Sequence, residues 1–142
     1  MLTIKVKFKE GIEGFVQVNP GEWYDLRASE NMLLKKGNYY RIPLGVAMQL
    51  PAGYEAHVLP RSSTFERFGI MLVNGMGIID NKYCGDGDFW SFPALAMRDQ
   101  IILRNDRIAQ FRIFPVQPEV IFETVETLGN PDRKGFGSSG VR

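Results

Sequence analysis

One cysteine and one histidine stand in 142 residues, and that scarcity removes several chemistries. Cys84 alone forms no internal disulfide and builds no cysteine-based zinc site. So little cysteine suits a reducing compartment, and the sequence predicts a cytoplasmic protein. His57 sits in the extended run from Tyr54 to Leu59 and reads as structural, which leaves no histidine for a nucleophilic triad. Charge of one sign is also missing. Seventeen basic and 16 acidic side chains give a net +1, which disfavours electrostatic capture of nucleic acid. No apolar run approaches the ~20 residues of a membrane span. The start, Met1-Leu2-Thr3-Ile4-Lys5-Val6-Lys7, alternates instead of forming an apolar segment and is not read as a signal peptide.

What is present is an ordinary globular composition, with 44% hydrophobic and 23% charged residues, enough for one domain with a core. Ile4, Val6 and Phe8 alternate with lysines, the pattern of a strand with one wet face. Further extended runs are Tyr39–Gly45, Val46–Leu50, Tyr54–Leu59, Ile70–Val73, Phe89–Leu95, Ile101–Leu103 and Ile108–Phe114. Turn residues separate them, as in Asn19-Pro20-Gly21, Pro51-Ala52-Gly53 and Asn74-Gly75. Many short strands at this spacing predict an all-β sandwich, jelly roll or barrel. One helical turn is expected, since Ser63-Thr64-Phe65-Glu66 has the form of a capping box and would start a helix reaching about Phe68. The expected domain is 1–128. From about Gly129 the chain turns to glycine, serine and charge, so 129–142 is expected to be a mobile arm.

Four segments carry chemistry. Arg61 and Ser62 precede the expected helix, where backbone N–H groups, a guanidinium and a hydroxyl can meet a phosphate; an ordinary ion pair beside a helix cap is the equal alternative. Asp80 follows Ile78 and Ile79 at the end of an apolar run. It either orients a water or caps a turn. Tyr83 either packs on a sugar or is a half-buried core aromatic. In the run from Asp106 to Gln110, Asp106 closes a turn, Arg107 makes a structural ion pair, and the Gln110 amide can donate to a phosphate oxygen. Gly135-Phe136-Gly137-Ser138-Ser139-Gly140 is glycine-rich but lacks the lysine of a P-loop, so it reads as a flap closing over a ligand. Asp86 and Asp88 read as loop decoration or a metal pair.

These segments resemble, in order, the five motifs of the homotrimeric deoxyuridine triphosphatases (dUTPases) of bacterial or phage type. The first, A-G-x-D-L-x-A, corresponds to Trp23 through Ala28. The second, P-R-S-S, is Pro60–Ser63. The third, N-x-x-G-x-I-D-x-x-Y-x-G, runs intact from Asn74 to Gly85. The fourth, G-D-R-I-A-Q, is Asn105–Gln110 with Asn for Gly, and the fifth ends in Gly135–Gly140. The resemblance implies a β-clip, distorted jelly-roll-like subunit, a homotrimer with shared active sites, and hydrolysis of dUTP to dUMP and pyrophosphate. That reaction keeps uracil out of DNA and supplies dUMP for thymidylate synthesis.

Residue by residue, Asp80 is similar to the carboxylate that positions the attacking water. Tyr83 looks like the residue that packs on deoxyribose. Asn74 and the backbone of Gly77, Ile78 and Ile79 look like the reader of uracil. Arg61, Ser62, Ser63 and Gln110 match phosphate ligands. Asp25 matches the residue that holds Mg²⁺ through water. Phe136, with Gly137 and Ser138, matches the closing arm that stacks on uracil. The family's arginine five residues before that aromatic is Pro131 here, and Arg133 or Lys134 is the replacement. A dCTP deaminase shares the fold but would need a glutamate where the chain has Gly87-Asp88-Phe89-Trp90-Ser91. A nucleotide-switched binding protein with a regulatory partner is the remaining alternative.

Overall fold

A computed structural model describes residues 1–135 and 140. Phe136, Gly137 and Ser138 therefore lie outside the described residues. Within them the chain forms strands β1 (Lys5–Phe8), β2 (Tyr24–Arg27), β3 (Met32–Leu34), β4 (Tyr39–Pro43), β5 (Val46–Gln49) and β6 (Tyr54–Pro60). Helix α1 (Thr64–Phe68) precedes β7 (Ile70–Leu72), β8 (Gly77–Ile79), β9 (Ser91–Ala96), β10 (Gln100–Ile102) and β11 (Arg107–Pro115). Pairing is antiparallel throughout. A four-stranded sheet runs β2-β11-β6-β8 and a three-stranded sheet runs β4-β9-β7. The pairs β1-β5 and β3-β10 complete the fold. The architecture is the all-β, jelly-roll-like one that the strand spacing predicts.

Period-two patterning puts one face of each sheet inside. On β9, Phe92, Ala94 and Ala96 are buried while Ser91, Pro93 and Leu95 are half-buried on the other face. On β6, Ala56 and Val58 point into the core and Glu55, His57 and Leu59 point away from it. His57 is structural as expected, 2.6 Å from Glu55 through Nε2 and stacked on Phe114. Three strands, β2, β3 and β8, lie outside the extended runs of the sequence reading. β3 is too short for a pattern, and β2 was occupied by motif residues.

The expected strand Phe89–Leu95 begins late, at Ser91. Tight turns hold the preceding residues, with Asp88 N–H donating to Gly85 O at 3.0 Å and Phe89 N–H to Gly87 O at 2.9 Å. Trp90 then drops into the core, 1% exposed. Its indole N–H has no partner among the described residues. That costs about 1–3 kcal/mol. Burying an indole of ~200 Å² at about 25 cal/mol/Å² contributes roughly 5 kcal/mol, so burial wins.

The helix starts where expected but not for the expected reason. Ser63 has φ −95° and ψ −2° and makes no side-chain cap bond. Its backbone is helical rather than extended, so its hydroxyl is not aimed at the first turn. Thr64, fully buried, takes over: its Oγ1 accepts from Arg61 N–H at 2.7 Å and donates to Ile108 O at 2.9 Å. The helix ends at Gly69 in the left-handed region, φ +59°, where an added Cβ would lie 2.5 Å from Arg98 Cγ. After Pro115 the chain runs on without strands to residue 135 and is exposed. Ile121, Phe122 and Leu128 are 90%, 92% and 83% exposed. No described helix is long and apolar enough to cross a membrane.

Candidate active site

The expected site residues fall into two groups. The first surrounds the end of β6. Gln110 on β11 stands opposite Asp25 on β2 in the register. Asp25 is bridged by two guanidinia, Arg61 Nε to Oδ1 at 3.2 Å and Arg107 Nη1 to Oδ2 at 3.1 Å. Arg61 Nη1 also donates to Arg107 O at 3.0 Å, and Gln110 Nε2 donates to Pro60 O at 3.0 Å. The structural ion pair expected of Arg107 is present. Arg61 and Ser62 line a cavity of about 430 Å³. This cluster combines net positive charge with fixed donors, a cradle for an anion.

The fourth motif's Asn-for-Gly change has a physical reason. Asn105 adopts φ +73°, a conformation in which asparagine follows glycine in preference. Its side chain adds two bonds, accepting from Glu13 N–H at 2.9 Å and donating to Gly11 O at 3.0 Å. Asp106 closes the turn as expected, accepting from Leu103 N–H at 2.8 Å.

The second group lies on β8 and the turns on either side of it. Asn74, Gly77, Ile78, Ile79, Asp80 and Tyr83 line one cavity of about 630 Å³. Asp80 Oδ1 accepts from Lys82 N–H at 2.8 Å and Tyr83 N–H at 3.2 Å. Both donors take Oδ1, which leaves Oδ2 without a protein donor among the described residues. So Asp80 does cap a turn, with one oxygen held by backbone donors, and it lines the cavity. Tyr83, exposed, donates to Phe89 O at 3.2 Å. Sequence reasoning did not single out the opposite wall, made by Tyr39, Arg41, Phe89, Trp90, Ser91 and Pro93. Only the strand pairing joins these segments.

Asp80 and Arg61 stand apart within one chain, although Gly75, beside Asn74, lines the Arg61 cavity. Ile79 pairs with Ala56, which sets Asp80 beside Glu55. Arg61 lies six residues farther along β6, roughly 20 Å at about 3.3 Å per residue. Arg133 is exposed, and Cys84 is an exposed free thiol. Asp88 Oδ2 accepts from Gly85 N–H at 2.8 Å, so it decorates its own loop.

Residues 23–140 match the family described as dUTPase. The chain is 49% identical over 142 residues to the SPbeta prophage-derived deoxyuridine 5′-triphosphate nucleotidohydrolase of Bacillus subtilis strain 168, covering 99% of this chain and 100% of that one. The chain belongs to the dUTPase family. A further relative, the deoxyuridine 5′-triphosphate nucleotidohydrolase of Leifsonia xyli, is 37% identical over 88% of this chain and 84% of its own length. Among solved structures, a mutant dUTPase of Staphylococcus bacteriophage 80alpha with dUpNHpp covers 99% of this chain and 100% of its own, with TM-score 0.79 and 20% identity. The dUTPase of Streptococcus mutans gives TM-score 0.72 and 18% identity, covering 81% of this chain and 98% of its own. These two likenesses establish the dUTPase fold for this chain.

Proposed function

We propose that this dUTPase-family enzyme hydrolyses dUTP to dUMP and pyrophosphate by attack of an Asp80-oriented water on the α-phosphorus. The observation that carries the reading is Asp80 itself. Two backbone donors fix one oxygen, and the other is left to bind and deprotonate a water within a nucleoside-sized cavity. Tyr83 beside it packs on the deoxyribose, while Asn74 and the backbone of Gly77 to Ile79 read the base. Arg61, Ser62, Ser63 and Gln110 hold the phosphates, and their fixed donors neutralise charge that moves toward the leaving pyrophosphate.

A magnesium ion fits these residues in one way only. Among the described residues no three His, Cys, Asp or Glu side chains converge to cage a metal. A Mg²⁺ riding on a triphosphate needs just one carboxylate through water, and Asp25 stands among the phosphate ligands. Bound there, the ion would supply charge neutralisation on the phosphates. A structural Mg(II) ion is named for a related phage enzyme, the dUTPase of phage phi11.

The reading makes the enzyme a homotrimer. One substrate cannot span the roughly 20 Å between Asp80 and Arg61 in a single chain, so its phosphates meet the Arg61 cluster of another copy. The exposed Ile121, Phe122 and Leu128 supply apolar surface for packing on that copy. The arm 129–142, with Arg133, Phe136, Gly137 and Ser138, then closes over a neighbour's site. A free exposed Cys84 is compatible with a cytoplasmic setting.

The test is pyrophosphate release with Mg²⁺ from dUTP, dCTP, dTTP and UTP in parallel, with ammonia assayed on dCTP. Release from dUTP alone is expected, and ammonia from dCTP would replace the reading by deamination. Shared sites are tested by mixing Asp80→Asn and Arg61→Ala proteins after partial unfolding and reassembly. Recovered activity is expected, since mixed trimers regain one intact site. No recovery would place each site within one chain.

A further inference from the structure

We propose that Lys7 and Lys9 are positioning residues for the nucleotide site, whose ammonium groups hold Phe89 and, through it, Tyr83. The inference rests on the reading of the cavity beside β8 as the nucleoside pocket. It adds two residues that stand outside the lining of that cavity.

The stretch from Gly85 to Phe89 has no strand of its own. Past it, Trp90 is tied to the sheet, its N–H donating to Val46 O at 2.8 Å. Ahead of that tie, the stretch is held from β1. Lys7 Nζ donates to Asp86 O at 3.1 Å. Lys9 Nζ lies 4.8 Å from the centre of the Phe89 ring, and Lys7 Nζ lies 5.6 Å from it. Both distances are within the ~6 Å reach of cation–π attraction. The register explains how β1 comes so near. Phe8 stands opposite Val46 on β5, and Val46 is the residue that takes the Trp90 N–H. The ladder continues past β1, with Lys9 N–H donating to Gly45 O at 2.9 Å. Alternation along the strand puts Lys5, Lys7 and Lys9 on one side. Lys5 makes no side-chain hydrogen bond or ring contact among the described residues.

Phe89 carries the effect into the site. It lines the cavity, and its carbonyl accepts the Tyr83 hydroxyl at 3.2 Å. Tyr83 N–H donates in turn to Asp80 Oδ1 at 3.2 Å. The lysines, Phe89, Tyr83 and Asp80 are therefore one continuous series of contacts. A lysine on a wet strand face ordinarily stays solvated, because ordering it costs side-chain entropy. Here three contacts from two lysines converge on the few residues before Trp90, and the neighbouring Lys5 makes none. β1 also lies outside residues 23–140, which match the family, so the clamp reaches the site from beyond that segment.

The experiment measures steady-state hydrolysis of dUTP by the full chain. It compares the wild type with Lys7→Gln/Lys9→Gln, Lys7→Arg/Lys9→Arg and Lys5→Gln, and follows thermal unfolding of each. The glutamine pair is expected to raise KM about fivefold, since the clamp returns to binding no more than the strength of its own exposed contacts. Turnover stays within twofold, because Asp80 keeps its own turn. The arginine pair restores KM, as a guanidinium keeps the charge, the donors and the attraction for a ring face. Lys5→Gln leaves KM unchanged. Lys9→Gln alone raises KM about threefold, and that factor disappears in a Phe89→Leu background, where the ring it needs is gone. The single variant also serves if the glutamine pair does not fold. A KM unchanged within twofold in the glutamine pair would overturn the inference. So would an equal rise in Lys5→Gln, which marks a general attraction for the triphosphate, or a Lys9→Gln effect that persists without the ring. Each of these leaves dUTP hydrolysis by the wild type intact. Absent hydrolysis by the wild type overturns the underlying reading and this inference together.

Discussion

The turn that carries Asp80 is wired to itself, whereas the cluster around Asp25 is wired across the fold. Asp80 is fixed by the N–H groups of Lys82 and Tyr83, two and three residues away. Asp25 is fixed by Arg61, just past the end of β6, and by Arg107 on β11, 82 positions away in sequence. The turn at Asp80 has its bonds as soon as residues 80–83 fold together, although β8 before it pairs with β6. The cluster has none until β2, β11 and β6 have assembled. The carboxylate proposed to orient the water therefore stands on a locally specified turn, and the anion cradle reports on the integrity of the whole sheet.

Breaking the turn's function should leave its structure alone. Asp80→Asn keeps the Oδ1 acceptor and removes the charge, so turnover should fall about 10²–10⁴-fold with the circular dichroism spectrum unchanged. Near-normal turnover would remove Asp80 from its role. Breaking the cluster should cost both structure and function. Asp25→Asn leaves two guanidinia facing each other without a full counter-charge. The side chains are 16%, 20% and 37% exposed, so solvent screening limits the cost. The expected loss is about 1–2 kcal/mol in urea unfolding, accompanied by a raised KM for dUTP.

The next two substitutions sharpen the contrast at one helix start. Thr64→Val strands Arg61 N–H and Ile108 O in the core, and about 1–3 kcal/mol of stability should go with them. The neighbouring Ser63→Ala removes a hydroxyl that makes no cap bond, so its effect should stay within ~0.5 kcal/mol. Equal costs at the two positions would mean that Ser63 caps the helix in solution.

The same contrast explains what the sequence could disclose. Asn74 through Gly85 reads as a site element because it carries its motif in one unbroken stretch, and period two reveals β6, β9 and β11. Helix α1 was legible in position, but the S-x-x-E pattern pointed to Ser63 while tertiary contact selected Thr64. No local pattern couples Asp25 to Arg61, because only strand order brings them together. Trp90 follows an acidic, glycine-rich stretch with no apolar pattern. Its burial depends on the turn at Gly85–Asp88 and on pairing with Val46, neither of which hydropathy encodes.

On the homotrimer reading, the bare apolar side chains after Pro115 make dilution a denaturant for this protein. If Ile121, Phe122 and Leu128 find their cover on another copy, part of each chain's folding free energy is held by its neighbours. The midpoint of thermal unfolding should then rise with protein concentration, and a chain alone in a very dilute cell extract should lose its nucleotide site before it loses its sheets.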